Sequence, residues 1–274
     1  MSISEPLATP LTSDVIKHAL RKSSPSSAPG PDGILYAVST KANSINPRIL
    51  LDLLSPLVAC GYHPPCLKNA HGIVLDKLGK AYYDSPASFR IIVLLKTMSR
   101  ILERVMTVIL SPIARSSSML HPNQCGSLPG LSASDTWLIL AHEIRTLQRP
   151  RPRVSTLFLN IKARFHNVNA SILRASLLAK STPTYIADWV SSFLSERSWT
   201  LVFLSPNLPA PVSVVTLQGS PISPLLFLLY VAPLYLAIPK GIMLSHVDDF
   251  SITVASESHR GNIRRLQKTF TEIA

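Results

Sequence analysis

The chain has 274 residues, of which 46% are hydrophobic, so it is long enough to bury a sizeable core in one or two domains. It carries 27 lysines and arginines against 15 aspartates and glutamates, a formal charge of +12 that favours a polyanionic partner, although a generic basic protein would share it. Cys60, Cys66 and Cys125 are odd in number and lack the paired framework of a disulfide-rich secreted domain, which predicts a reducing intracellular compartment.

The N-terminal half is predicted to be mainly helical. Residues 1–12 lack the basic and apolar segments of a signal peptide, so secretion is not expected. Further along, apolar residues recur at intervals of three and four, the period of amphipathic helices. The predicted helices cover residues 14–22, 47–60, 91–110 and 134–147. Ser13 and Asp14 can cap the first of them, and Glu103 lies on the polar face of the third.

Two turns rich in glycine, proline or lysine interrupt this half. Residues 28–33, Ala-Pro-Gly-Pro-Asp-Gly, predict a rigid double turn, because each proline restrains its own backbone and that of the preceding residue. Such a turn after a basic helix could present backbone donors to phosphate, or it could be an ordinary surface turn. A short buried strand at 73–75 leads into the second, basic turn at 76–80.

The second half mixes strands with helices, so the expected fold class is α+β. Pro150 and Pro152 mark the break between a mainly helical domain, residues 1–153, and this mixed domain, residues 154–274. Strands are predicted at 154–159, 199–204 and 212–217, and helices at 170–179, 186–194 and 225–237. A basic segment at 260–268 follows them.

Two adjacent carboxylates, Asp248 and Asp249, lie between runs of β-branched and apolar residues at 242–247 and 251–254. This pattern predicts a β-hairpin with both carboxylates at its tight turn. Consecutive side chains of a strand point to opposite faces, so the pair is unsuited to a ladder unless the backbone turns there. Two carboxylates on one side of a turn form a site for Mg²⁺ or Mn²⁺, which prefer oxygen ligands. Ordinary turn chemistry is the alternative for the isolated pair.

Two further patterns could indicate a zinc site and a membrane segment, but ordinary structural roles explain them better. Cys60, His63, Cys66 and His71 could supply four zinc ligands, but the two prolines between them and the unusual spacing favour a loop, so no zinc is expected. Residues 221–244 are apolar enough to raise the question of a membrane span, which needs about 20 consecutive helical residues. Four prolines interrupt this run, so we predict a buried core helix and no membrane segment.

Five blocks of residues give the chain a resemblance to a known family. They are residues 28–33, Ser-Phe-Arg at 88–90, residues 159–168, Gln-Gly-Ser-Pro-Ile-Ser-Pro-Leu-Leu-Phe at 218–227, and Val-Asp-Asp at 247–249. In this order they resemble the reverse transcriptase domain of non-LTR (LINE-type) retrotransposons, over nearly the whole chain. The resemblance implies a right-hand polymerase, with helical fingers in residues 1–153 and a palm in residues 154–274 whose antiparallel sheet carries packed helices.

The resemblance also implies roles for single residues. Asp248 and Asp249 match the hairpin carboxylates that hold two Mg²⁺ (or Mn²⁺) ions, and residue 160 stands where a third metal-binding aspartate is usual. The partners would be an RNA template, a DNA primer and deoxynucleoside triphosphates. The matches to nucleotide-binding positions are Phe165 under the sugar, Gln218 and Gly219 against the template–nucleotide pair, and Arg90 and Lys77 at the triphosphate.

The departures from the family pattern fall on the chemistry. Asn160 replaces the leading metal-binding aspartate, so the site loses a formal charge. The other replacements are Ile91, Leu128, Leu131, Arg164, His166 and Leu217. The chain also stops soon after the hairpin, so the helical thumb is expected to be missing.

These departures predict a degenerate, truncated retroelement domain whose polymerase activity is impaired or lost. The alternative is a non-catalytic basic remnant that binds nucleic acid through its charge, with steep salt dependence and little sequence preference. Either protein is expected to act inside the cell, in the nucleus or the cytoplasm.

Overall fold

The structure is a computed structural model, and it describes residues 11–127, 132–149, 153–161, 168–202, 210–213, 219–237 and 242–273. The chain forms two compact units, each built from two segments. The first unit contains Met1–Ile113 and Phe165–Ser223, and the second contains Ala114–Arg164 and Pro224–Ala274. The boundary after residue 153 was predicted to separate fingers from palm. The two units do not test this boundary, so it stays a prediction.

Helices and strands occur in both halves of the chain. The helices are α1 (Ser13–Arg21), α2 (Tyr36–Ile45), α3 (Ile49–Ala59), α4 (Thr97–Ser116), α5 (Ala133–Gln148), α6 (Ala170–Ala179), α7 (Thr184–Leu194), α8 (Ser223–Val231) and α9 (His259–Ile273). The strands are β1 (Asn69–Asp76), β2 (Phe89–Leu95), β3 (Gln124–Cys125), β4 (Arg153–Asn160), β5 (Ser198–Val202), β6 (Ala210–Ser213), β7 (Ile242–His246) and β8 (Asp249–Ser256). Short 3₁₀ helices cover Pro65–Leu67, Pro86–Ser88 and Ala232–Ala237.

The first unit contains a sheet with the strand order β2-β1-β5-β6. β1 runs antiparallel to β2 and parallel to β5, and β5 runs antiparallel to β6. A buried apolar cluster on this sheet consists of Ala70, Val93, Leu95 and Trp199. Gly72 leaves room for the Trp199 ring, because a Cβ at this position would lie 2.3 Å from it. The sheet therefore joins strands that come from both halves of the chain.

The second unit contains a sheet with the strand order β3-β7-β8-β4. Its pairs are antiparallel except for the short parallel pair of β3 and β7. α5 packs on one face, where Leu140 contacts Leu244. α9 packs on the opposite face, where the Asn262 side chain donates a hydrogen bond of 3.1 Å to the Ser155 hydroxyl. The acidic hairpin, β7 and β8, is thus the centre of this sheet.

The predicted helix at 91–110 is wrong in its first part. β2 occupies residues up to Leu95 and pairs with β1 from Ala70↔Leu95 to Asp76↔Phe89, and α4 begins only at Thr97. A run of five apolar residues fits a buried strand as well as the start of a helix, and periodicity alone does not separate the two. Pairing with a strand that is distant along the chain decides between them.

The turn at 28–33 has a structural role in the first unit. The Thr97 N–H, at the start of α4, donates a hydrogen bond of 3.2 Å to the Asp32 carboxylate. Gly30 lies so close to the end of β2 that a Cβ on Gly30 would be 2.4 Å from the backbone of Leu95. The turn is therefore packed against the junction of β2 and α4, and this packing explains its aspartate and its first glycine without a phosphate.

Two local predictions differ from the structure. The cap of α1 is Thr12 and not Ser13 or Asp14, because the Thr12 hydroxyl accepts the Val15 N–H at 3.3 Å. Helix α2 was not predicted from the sequence. It has no side-chain cap and buries only Tyr36, Ser39 and Asn43, so its apolar periodicity is weak.

The apolar stretch at 221–244 does not form one long helix. α8 ends at Val231, the last 3₁₀ helix follows, and β7 begins at Ile242. Within the described ranges, no helix is long and apolar enough to cross a membrane. Both units combine helices with a sheet, so the predicted α+β class is confirmed.

Candidate active site

The predicted acidic hairpin is present in the second unit, but only Asp248 lies in its turn, because Asp249 is the first residue of β8. His246 pairs with Asp249, and Val247 and Asp248 form the two-residue turn between them. Val247 has a φ of +59°, a left-handed conformation that is rare for a β-branched residue and costs on the order of 1–3 kcal/mol. Its N–H donates to the Cys125 carbonyl at 3.0 Å. The neighbouring β3 therefore holds the strained turn in place.

Asn160 meets the two aspartates at one end of this sheet. The register of β4 and β8 places Asn160 opposite Asp249, and its Nδ2 donates a hydrogen bond of 2.7 Å to Oδ1 of Asp249. The Ile161 N–H donates to the Asp248 carbonyl at 3.2 Å. The structure thus brings residues 160, 248 and 249 together, while their catalytic and metal-binding roles stay predictions.

These three side chains can be compared with the needs of a divalent cation. Mg²⁺ demands oxygen ligands in near-octahedral geometry, and two such ions bridging a triphosphate need several carboxylates. Asp248 and Asp249 supply two carboxylates, whereas Asn160 supplies a neutral amide whose nitrogen faces Asp249, because two oxygens at 2.7 Å would repel each other. The amide oxygen of Asn160 could also coordinate a cation, but it brings no negative charge. The role of these three residues as a site for Mg²⁺ or Mn²⁺ stays a prediction.

The four possible zinc ligands of the sequence lie in different surroundings. His63 is fully buried, whereas Cys60 and Cys66 are exposed free thiols and His71 lies in β1. Across the part of the chain that the structure describes, no three His, Cys, Asp or Glu side chains lie close enough together to hold a metal ion.

In the first unit, the loop at Gly219 and Ser220 is tightly fixed. Gly219 has a φ of +122°, and a Cβ there would lie 2.5 Å from the carbonyl oxygen of Val93. The Ser220 hydroxyl donates a hydrogen bond of 2.5 Å to Glu103 and accepts the Ser223 N–H at 3.3 Å. Backbone crowding and a buried hydrogen bond therefore position the part of the Gln-Gly-Ser-Pro loop that the structure describes.

Glu103 is the centre of a buried polar cluster that includes this loop. None of its side chain is exposed, and Nη2 of the equally buried Arg197 lies 3.8 Å from Oε1. The Ser99 hydroxyl donates to Oε1 at 2.8 Å. Burial raises the pKa of the Glu103 carboxyl, and the positive charge of Arg197 opposes that rise. A carboxylate this deep in a protein is tolerated only with such partners.

His63 completes the cluster as a neutral ring. Its ring meets Trp189 edge-on with centroids 5.4 Å apart, and its Nε2 lies 3.3 Å from the Ser99 hydroxyl. Since that hydroxyl already donates to the carboxylate, Nε2 carries the hydrogen and donates. Burial, together with the positive charges of Arg197 and Lys68, lowers the pKa of His63 to about 2. The ring is therefore uncharged at neutral pH.

The predicted position of Glu103 on the polar face of a helix is wrong, because its side chain is fully buried. The helical period is correct in α4, but the face that carries Glu103 is covered. Its partner Ser220 lies 117 residues away, and an acidic residue between Arg100 and Arg104 carries no local sign of such a partner. No motif in the sequence would have identified this cluster.

Arg90 and Lys77, predicted to bind the triphosphate, lie at the same end of the antiparallel pair of β1 and β2. Arg90 is exposed in β2 and Lys77 is half-buried just after β1. The Lys77 N–H donates to the Ser88 carbonyl at 2.9 Å, which closes this end of the pair. The structure thus brings the two residues near each other, and their nucleotide-binding role stays a prediction.

Several residues singled out in the sequence lie outside the described residues. Among the predicted nucleotide-binding residues these are Phe165 and Gln218. Among the departures from the family pattern they are Leu128, Leu131, Arg164, His166 and Leu217.

Comparison with known proteins identifies the class of this chain. Residues 76–274 match the family described as reverse transcriptase (RNA-dependent DNA polymerase). The chain is 25% identical to the "Probable RNA-directed DNA polymerase from transposon BS" of Drosophila melanogaster, over 97% of this chain and 30% of that protein. It is 26% identical to the "Retrovirus-related Pol polyprotein from type-2 retrotransposable element R2DM" of the same organism, over 79% of this chain and 20% of that protein.

A third relative extends the same pattern. The chain is 23% identical to the "Retrovirus-related Pol polyprotein from type-1 retrotransposable element R1" of Bradysia coprophila, over 94% of this chain and 25% of that protein. The chain belongs to the reverse transcriptase (RNA-dependent DNA polymerase) family. Within this family the predicted membership of the non-LTR retrotransposon group is confirmed. The chain spans 20–30% of the length of the three relatives described.

Proposed function

We propose that this chain is the reverse transcriptase domain of a retrotransposon protein whose polymerase activity is impaired by Asn160. The observation that carries the proposal is the hydrogen bond of 2.7 Å between Asn160 and Asp249, an amide–carboxylate contact where a third carboxylate would help to hold metal ions. Residues 1–153 would act as fingers and residues 154–274 as palm. An RNA template, a DNA primer and deoxynucleoside triphosphates would be its substrates, inside the cell, as the three free cysteines favour.

The size of the impairment follows from the loss of one charged ligand. A carboxylate that helps to hold a catalytic cation contributes several kcal/mol to stabilisation of the transition state. A loss of about 4 kcal/mol slows the reaction roughly a thousandfold. An amide oxygen could still coordinate a cation, but it brings no negative charge to offset the charge of the metal.

The test is primer extension on an RNA template with Mg²⁺ and then with Mn²⁺. We expect extension by the Asn160→Asp variant and little or none by the unaltered chain. The matched control is Asn160→Asp combined with Asp249→Asn, which restores residue 160 and removes the carboxylate that faces it. Extension by the unaltered chain at the rate of the Asn160→Asp variant would show that Asn160 does not impair the enzyme.

A second candidate function is nucleic-acid binding without catalysis. It is favoured by the formal charge of +12 and by α9, where Arg260, Arg264 and Lys268 are all exposed. Binding of this kind depends on release of counterions from phosphates and is largely indifferent to sequence. It becomes the better description if neither the unaltered chain nor the Asn160→Asp variant extends a primer that both bind.

Salt dependence tests this second candidate directly. We expect the affinity for a single-stranded oligonucleotide to fall at least tenfold between roughly 50 and 200 mM salt. Oligonucleotides of different sequence and equal length should bind with similar affinity. An affinity that is insensitive to salt would contradict binding through charge.

A further inference from the structure

A pocket of about 180 Å³ lies on the second unit, between α5 and the strands of the acidic hairpin. Its lining includes Trp137, Leu140, Phe158, Leu244, His246 and Asp249. The walls are mainly apolar, and Asp249 is part of them. The pocket therefore adjoins the candidate active site, but the sequence motifs give no role to its aromatic residues.

Two aromatic rings of this pocket are exposed to an unusual degree. Trp137 is 63% exposed and Phe158 is 60% exposed. Their ring centroids are 6.2 Å apart and their planes are tilted by 43°, so neither ring covers the face of the other. Adjacent exposed aromatic rings are typical of a binding surface, because burial of their faces is favourable.

The size and charge of the pocket limit its ligand. Drug-sized ligands occupy sites of roughly 300–1,000 Å³, so a pocket of about 180 Å³ has room for a single planar ring system. The carboxylate of Asp249 would repel a phosphate placed beside it. An uncharged aromatic heterocycle that stacks on the exposed rings meets both conditions.

The charge of the surrounding protein indicates where such a heterocycle would come from. The chain carries a formal charge of +12. Arg145 is exposed on the same helix as Trp137, and Arg149 is exposed directly after the end of this helix. Arg145 lies eight residues beyond Trp137, which is about 12 Å along the helix at 1.5 Å per residue. A strand could thus place a base in the pocket and its neighbouring phosphates near these arginines.

We propose that this pocket binds one unpaired nucleobase of a single-stranded nucleic acid, stacked on Trp137 and Phe158. The inference rests on the proposed function in one respect, that a nucleic acid is the partner of this chain. It adds a site for a base outside the predicted nucleotide-binding residues Phe165, Gln218 and Gly219.

The tryptophans provide a built-in reporter for this site. The chain contains three of them, and Trp189 and Trp199 are 0% and 6% exposed. Trp137 is therefore the tryptophan that a stacked base can quench. Binding of the strand itself is followed separately, by anisotropy of a fluorescein-labelled single-stranded RNA.

The experiment titrates the full chain with this RNA and records both signals. We expect quenching of Trp137 with the same midpoint as the rise in anisotropy. Phe158→Ala should weaken binding about tenfold, as should Trp137→Leu measured by anisotropy. The matched control is Leu138→Ala, because Leu138 is 68% exposed beside Trp137 but does not line the pocket. This control should bind as the unaltered chain does.

Two outcomes would overturn the pocket as a base site. One is binding of RNA by anisotropy without quenching of tryptophan, and the other is an equal loss of affinity in Leu138→Ala and Phe158→Ala. Either result leaves nucleic-acid binding by the chain intact.

A second probe separates the pocket from the proposed function. Adenosine at millimolar concentration should quench Trp137 in the unaltered chain and less in Phe158→Ala. Quenching by adenosine without any binding of RNA supports the pocket and counts against the proposed function. Absence of quenching by both adenosine and RNA overturns the pocket.

Discussion

Ser220 and Glu103 are joined by a hydrogen bond of 2.5 Å although they lie 117 residues apart in the chain. The serine belongs to the Gln-Gly-Ser-Pro loop, and the glutamate is a fully buried residue of α4. Arg197, also fully buried, lies on the other side of the carboxylate. The hydrogen bond to the buried Glu103 side chain, whose charge is offset by Arg197, therefore fixes the loop to the interior of the first unit.

Glu103→Gln should destabilise the protein by about 3 kcal/mol, because it leaves the buried charge of Arg197 without a partner. The measurement is the free energy of unfolding in urea, compared with the unaltered chain. The loss should be independent of salt, since the pair is shielded from solvent.

The matched control for this prediction is Glu103→Leu combined with Arg197→Met. Replacement of both members of a buried ion pair by apolar residues is often nearly neutral. The double variant should be more stable than Glu103→Gln, although Ser99 and Ser220 lose their acceptor. A double variant that is the less stable of the two would show that the charge of Arg197 does not govern the effect.

Acid should weaken the fold through His63. Its pKa is about 2 in the folded protein, against an ordinary value of 6.5 in the unfolded chain. Between these values the unfolded chain binds one proton more, so the free energy of unfolding falls as the pH falls, by about 1 kcal/mol between pH 6 and pH 5.

Urea unfolding of His63→Gln at these two pH values checks this prediction. The variant should lack this part of the pH dependence, whereas His142→Gln, a change at an exposed position of α5, should keep it. Equal pH dependence in the unaltered chain and in His63→Gln would contradict the assignment.

Gly219→Ala should destabilise the first unit by more than about 2 kcal/mol. Its Cβ would meet the Val93 carbonyl oxygen at 2.5 Å, on a backbone whose φ is +122°. Gly33→Ala separates strain from crowding, because Gly33 has a φ of +65° but no atom within 4 Å of its Cβ position. Strain alone should cost about 1–2 kcal/mol. Thermal unfolding of both variants checks the order, and a smaller loss for Gly219→Ala would contradict it.

Asn160→Asp should make stability dependent on a divalent cation. Without metal, a carboxylate replaces the amide that donates to Asp249 at 2.7 Å, so like charges face each other and the melting temperature should fall. With millimolar Mg²⁺ or Mn²⁺ it should rise above that of the unaltered chain, because the three carboxylates then hold the cation. Melting curves in EDTA and in MgCl₂ provide the measurement.

The control for this prediction is Asn160→Ala. It also loses the hydrogen bond but adds no charge, so it should melt lower in both solutions and gain nothing from Mg²⁺. A similar gain from Mg²⁺ in Asn160→Ala and in Asn160→Asp would place the cation elsewhere.

The features that depend on neighbouring residues could be predicted from the sequence alone. The hairpin at Asp248 and Asp249, the helices at 134–147 and 170–179 and the α+β class follow from local periodicity and turn chemistry, and the ordered motifs predicted the family. These features come from residues a few positions apart, whose interactions do not depend on which distant surfaces pack together.

Which of these elements meet depends on tertiary packing and could not be predicted from the sequence. Residues 91–95 form a strand because β1 pairs with them. Glu103 is buried because Arg197 and Ser220, which are distant along the chain, pack against its carboxylate. The contact of Asn160 with Asp249 likewise depends on the register of two strands. Hydrogen bonds and charge pairs between distant residues form only after packing brings them together, so the local sequence carries no mark of them.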